Sequence, residues 1–151
     1  MKFFIPGMIC LCSLLSNYTW AAEHIVHPGE SINAAIAKAT AGDIIKVMAG
    51  TYAEKGIIIN KPLILMGIGQ PVLEGEHKYE IITILSDHVI IQGFVLQHSG
   101  YSSMNDLAAI RLKNVAHVAI RNNRLINNFF GIYCQHADSS VISNNQVSSV
   151  G

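Results

Sequence analysis

A weak repeat in the second half of the chain constrains its fold more than any other feature. Ala119-Ile120-Arg121-Asn122-Asn123-Arg124-Leu125 returns 22 residues later as Val141-Ile142-Ser143-Asn144-Asn145-Gln146-Val147. Between the copies, Gly131-Ile132-Tyr133 echoes Ala109-Ile110-Arg111 at the same offset. An earlier copy, Ile90-Ile91-Gln92-Gly93-Phe94-Val95-Leu96, is displaced by an insertion at Gly100–Asp106. A period of this length, carried by short β-rich runs without a helical pattern, is the signature of stacked coils. One coil cannot bury its apolar face alone, so neighbouring coils share a core. The expected fold is therefore an all-β solenoid.

Short runs rich in Ile, Val and Leu continue this pattern through the chain. Strands are expected at Ile44–Met48, Gly56–Ile59, Leu63–Met66, Val72–Gly75, Ile81–Leu85, Val89–Ile91, Phe94–Leu96, Ile110–Leu112, Val118–Ile120, Ile132–Tyr133 and Val141–Ile142, separated by Gly, Asn, Asp and Ser as tight turns require. One segment breaks the series. From Ser31 to Ala39, Ile32, Ala35, Ile36 and Ala39 form an apolar stripe at helical spacing, Ser31 is placed to cap it and Gly42-Asp43 ends it. A short amphipathic helix ahead of a run of coils reads as a lid over the exposed end of the core. The pairs Asn122-Asn123 and Asn144-Asn145 read as corner residues, because Asn tolerates left-handed backbone. Stacked on one another they would form a ladder of side-chain amide bonds. No helix or polar cap follows Val147-Ser148-Ser149-Val150-Gly151, so the expectation is a solenoid truncated at its C-terminal end.

The first residues read as a secretory leader spanning 1–21, with 22–151 as the β-helical part. Lys2 is the positive region, Phe3 to Leu15 the apolar one, and Thr19-Trp20-Ala21 or Trp20-Ala21-Ala22 the cleavage site, of which the small Thr19 favours cutting after Ala21. Cys10 and Cys12 follow Ile9 and Leu11 rather than the small residue a lipoprotein site needs, and both leave with the leader. The remaining Cys134 then has no disulfide partner, and is expected inside as a small hydrophobe. The leader points to the periplasm, with no membrane span in the mature chain. A formal net charge of zero makes nucleic acid an unsuitable partner.

Chemistry-bearing clusters are sparse. Seven histidines are scattered without a tight ligand spacing. In a solenoid, however, residues one coil apart are neighbours, and His88 aligns with His117 by the offset that aligns Ile91 with Ile120. These two are the candidate metal ligands, with copper as the possible metal, since imidazole suits it; the structural alternative is a pair of solvated corner residues. Glu74, Glu76, Glu80, Asp87, Asp106 and Asp138 are dispersed without shared register, and Arg111 and Arg121 lack an evident acidic partner. No pair of facing carboxylates for sugar hydrolysis, phosphate loop or nucleophile elbow is present. No catalytic residue and no other cofactor is assigned, and the chain reads as not an enzyme.

Two groups of segments carry a resemblance. Glu30–Ile36, Ala41–Val47 and Ala49-Gly50-Thr51-Tyr52 resemble the opening of right-handed parallel β-helix proteins, pectin methylesterases among them. Lys61–Gly67, Pro71–Gly75, Val89–Phe94 and Asn128-Phe129-Phe130-Gly131-Ile132-Tyr133 together resemble the N-terminal part of the NosD family. Members of that family are longer periplasmic maturation proteins of nitrous oxide reductase. The resemblance implies a right-handed parallel β-helix. It also implies accessory work in assembling the copper–sulfur centre of the reductase, with an ABC transporter and the reductase as partners. It carries over no ligand motif. The alternatives left open are a carbohydrate-binding or polysaccharide-processing β-helix (lyase, epimerase or esterase) and a degenerate gene product without independent activity. Fold alone does not choose among them.

Overall fold

A computed structural model describes residues 20–102 and 104–149. All but the last two residues of the expected leader lie outside this range. The first described elements are strand β1 (Glu23–Val26) and helix α1 (Ile32–Lys38), the one helix among the described residues. It then winds through β2 (Ile44–Met48), β3 (Thr51–Tyr52), β4 (Ile57–Ile59), β5 (Ile64–Ile68), β6 (Val72–Glu74) and β7 (Ile82–Ile84). The next turns are β8 (Ile90–Gln92), β9 (Val95–Gln97), β10 (Ala108–Ala116), β11 (Ala119–Arg121), β12 (Arg124–Ile126), β13 (Phe130–Asp138), β14 (Val141–Ser143) and β15 (Gln146–Ser148).

Three sheets run along the coil axis. The first has the order β1-β2-β5-β8-β11-β14, the second β3-β6-β9-β12-β15 and the third β4-β7-β10-β13. Every strand pairing among the described residues is parallel. This is a parallel β-solenoid, as the repeat requires. The 22-residue offset is the spacing of the last coil, where Ala119 pairs with Val141. The coil before it spans 29 residues, from Ile90 to Ala119, and the difference is the Gly100–Asp106 insertion.

Register turns the sequence pattern into a core. Ile45, Leu65, Ile91 and Ile120 stack along the first sheet, and Leu73, Leu96 and Leu125 along the second. Ile57, Ile82 and Ile110, with Ile59, Ile84 and Leu112, line the third. All of these are buried. In-register stacking lets like side chains repeat one rotamer and fill the interior without voids.

The helix occupies the place of the second and third sheets in the first coil. It buries Ile32 and Ile36 on the end of the core. Ser31 caps it, its Oγ accepting the Ala34 N–H at 3.1 Å. The expected lid is therefore present. A further cap comes from the following coil: the Glu54 carboxylate accepts the N–H groups of Ile32 and Asn33. These are donors that a helix start cannot satisfy internally.

Cys134 corrects an expectation. Its register partner Leu112 is buried, so Cys134 sits in an inward column, but the thiol is exposed. No further coil stacks on β13 among the described residues, so an inward direction there does not give burial. Ile142 and Val147, on the same side of the last coil, are open for the same reason.

Candidate functional site

The corners between sheets gather the polar side chains. His88, His117, Asn122, Asn144, His98 and Asn127 all have φ between 50° and 57°. Asparagine and histidine are the non-glycine residues that adopt this left-handed region most readily. The corner chemistry therefore selects the residue types that the sequence shows at these turns.

At the corner after the first sheet, the amide ladder forms. Asn123 is buried; its Oδ1 accepts the Phe94 N–H at 3.1 Å and its Nδ2 donates to Ile91 O at 3.1 Å. Asn145 repeats the geometry one coil on, accepting the Asn123 N–H and donating to Ile120 O. A single asparagine, not anticipated, does the same at the next corner. There Asn128 accepts the Ser99 N–H at 2.9 Å and donates to Leu96 O at 2.9 Å. These asparagines satisfy backbone groups that the turns leave without sheet partners, and their role is structural.

His88 and His117 are neighbours, as their alignment implies. Their exposed rings stack with centroids 5.0 Å apart and planes inclined by 13°. Equivalent nitrogens of such a stack are separated by nearly the centroid spacing. Two nitrogens each about 2.0–2.1 Å from one metal lie within about 4 Å of each other. A shared cation therefore requires one ring to swing out of the stack. Among the described residues, no group of three or more His, Cys, Asp or Glu side chains converges as a metal cage.

A second histidine pair was not singled out from the sequence. His77 and His98 lie with ring centroids 4.5 Å apart, and His98 Nδ1 contacts the Glu74 carboxylate at 3.0 Å. Burial pushes the Glu74 carboxyl up, but the Gln97 amide, the Glu76 N–H and His98 outweigh it and hold it below its ordinary range. The signal was hidden because the offset changes from 23 at Glu74 and Gln97 to 21 at His77 and His98.

The most distinctive surface joins the insertion to the turn into β13. Tyr101 packs edge-on against Phe129, Phe129 against Phe130, and Phe130 against Tyr133. Arg111 lies over the Tyr133 ring at 4.8 Å. Tyr101 is 70% exposed and Phe129 44%, so this end of the ridge faces solvent, while Phe130 and Tyr133 are half-buried. Beside it, on the outer face of the third sheet, Glu80, Thr83, Arg111, Lys113, Tyr133 and Gln135 line a groove of about 560 Å³.

Arg111 is a further correction. Its Nε donates to Glu80 Oε2 at 2.6 Å, and its other arm reaches Asp106 O. The acidic partner lies one coil earlier, out of reach of a reading along the chain. Arg121, on the first sheet, pairs with Gln92 rather than with an acid.

Asp43 sits at the opposite, helix-capped end. This buried carboxylate accepts from His24 Nε2 at 2.8 Å, the Thr40 N–H at 2.8 Å and the Ala22 N–H at 2.9 Å. His24 is the first cause, followed by the Thr40 and Ala22 N–H groups, of a pKa held well below the usual carboxylate range.

No family model, curated protein or solved structure matches this chain. No helix among the described residues is long and apolar enough to cross a membrane.

Proposed function

We propose that the chain is the β-helical part of a periplasmic accessory protein that assists maturation of the copper–sulfur centre of nitrous oxide reductase. It works by contact with an ABC transporter and the reductase rather than by catalysis. The observation that carries this reading is the aromatic ridge. Asn128–Tyr133, one of the four NosD-like segments, supplies three of its four rings, and the insertion supplies Tyr101. A contiguous exposed aromatic surface beside an arginine has the composition of a protein-docking centre. The other three segments, Lys61–Gly67, Pro71–Gly75 and Val89–Phe94, supply strands and corners of the coils beneath it. The stacked His88 and His117 are the pair offered to copper in this reading, with one ring turning outward to share the ion.

The test is direct binding between the purified chain and the purified periplasmic surface of the transporter or the reductase, with a copper titration alongside. Saturable binding that is lost in Tyr101→Ala with Phe129→Ala supports the reading. Absence of binding to copper and to every component of that system overturns it.

A carbohydrate-binding reading is favoured by one observation, the polar groove beside the ridge. An oligosaccharide would meet Lys113 there, beside the Arg111–Glu80 pair. Saturable oligosaccharide binding lost in Lys113→Ala, with no protein partner, would select it.

A further inference from the structure

We propose that removal of the leader after Ala21 creates a chelating site for divalent copper at the new N-terminus, Ala22-Glu23-His24. The proposal rests on the leader reading and on the copper part of the function proposed above, for which it sets this tripeptide against His88 and His117 as the site. A free α-amine on the first residue and an imidazole on the third place four nitrogens within reach of one plane: the Ala22 amine, the Glu23 and His24 amides, and His24 Nδ1. They close two five-membered rings and one six-membered ring around the ion. A square-planar nitrogen set selects Cu²⁺ or Ni²⁺, and copper stands highest in the affinity order of the divalent series.

The folded chain brings the ends of this tripeptide to one point. Asp43 Oδ1 holds the Ala22 nitrogen at 2.9 Å and Oδ2 holds His24 Nε2 at 2.8 Å. The contact uses Nε2 and leaves Nδ1, the nitrogen that the chelate needs. A carboxylate on the far nitrogen is the usual outer partner that orients a ligating histidine. In the complex, Asp43 keeps His24 Nε2 and releases the Ala22 amine to the ion.

The surroundings permit the required bend. β1 is the edge strand of the first sheet and pairs only with β2. Ala22 and Glu23 are exposed, and His24 borders an open cleft against α1. The strand is extended whereas the chelate is folded. Residues 22–24 must therefore leave the sheet edge, breaking the bond from Ile44 N–H to Ala22 O. Val26, buried below them, anchors the rest of β1. Binding releases three protons, one from the ammonium and one from each amide, so affinity rises with pH.

The experiment uses the protein secreted with its own leader. Mass spectrometry fixes its first residue, and Cu²⁺ is titrated into it with visible absorption and electron paramagnetic resonance as readouts. The expected result is a chain beginning at Ala22 that takes one Cu²⁺ with four equivalent-plane nitrogens, displaced by Ni²⁺ only in excess. Two variants decide the site. His24→Ala removes the imidazole. A single Gly placed before Ala22 moves the imidazole to the fourth position without altering any packed residue. Each should weaken binding by more than the about 10–100-fold that loss of an outer-shell partner costs. A first residue other than Ala22 overturns the proposal. So does a Gly-extended chain that binds as tightly as the parent, or copper binding that is lost in His88→Ala and His117→Ala instead. The readout needs neither transporter nor reductase, so failure of the chelate and failure of the docking reading are separate results.

Discussion

At the scale of single residues, this solenoid is held at its corners as much as in its core. A strand stacked on strands has its backbone satisfied by the coils on either side, but a corner residue does not. Asn123 shows how the sequence answers this. Its amide accepts from Phe94 N–H and donates to Ile91 O, both inside the molecule, and its own N–H is taken by Asn145. Asn123→Ala leaves a donor and an acceptor buried without partners. At about 1–3 kcal/mol for each such group, the loss should be about 2–6 kcal/mol. Asn145→Ala, at a half-buried position where water can replace the amide, should cost about 0.5–1.5 kcal/mol. Urea titration checks the difference: the midpoint falls further for Asn123→Ala, with the slope unchanged in both. Equal losses would mean that the ladder works through turn propensity and not through burial.

At the scale of the element, α1 stands apart because it is too short to persist alone. A helix of seven residues lies below the length at which isolated helices are stable in water. Its existence is imposed by what it covers and by who caps it. Ile36 lies on the end of the core, and Glu54 reaches from the next coil to the first N–H groups of the helix. Ile36→Ala should cost about 2–4 kcal/mol, as for a buried large-to-small change. Glu54→Ala should cost about 1–2 kcal/mol through the lost cap. Hydrogen exchange distinguishes the two. Glu54→Ala should raise exchange in α1 and β1 while β8 to β12 stay protected, since solenoid coils respond mainly to their neighbours. Uniform loss of protection along the chain would contradict that division.

At the scale of the whole molecule, the parts that could be read from the sequence are those that repeat. Ile45, Leu65, Ile91 and Ile120 sit in like environments, so their spacing reports the coil directly. Strands β12 and β15 were not read because each is three residues long with one inward residue, Leu125 or Val147, too short a run to show a period. The groupings at the surface were less legible. Arg111 with Glu80 and His77 with His98 join residues from coils of unequal length, and no fixed offset marks them. The insertion that spoils the offset also adds Tyr101 to the aromatic ridge. Its separability from the fold is therefore testable. Gly100 belongs to the coil, since its N–H bonds to Tyr79 O at 2.9 Å and a Cβ there would meet the Lys78 backbone. Tyr101 to Asp106 add the Tyr101–Phe129 contact and a carbonyl for Arg111. Deleting these six residues forfeits an aromatic contact of about 0.5–1.5 kcal/mol and regains a few tenths from the shorter loop. The net loss should stay near about 1 kcal/mol. Circular dichroism should keep its β signal, and urea unfolding should remain a single transition. Partner binding through the ridge should fall even though the coils persist. Collapse of the β signal would instead make the insertion part of the scaffold, and the ridge a by-product of folding.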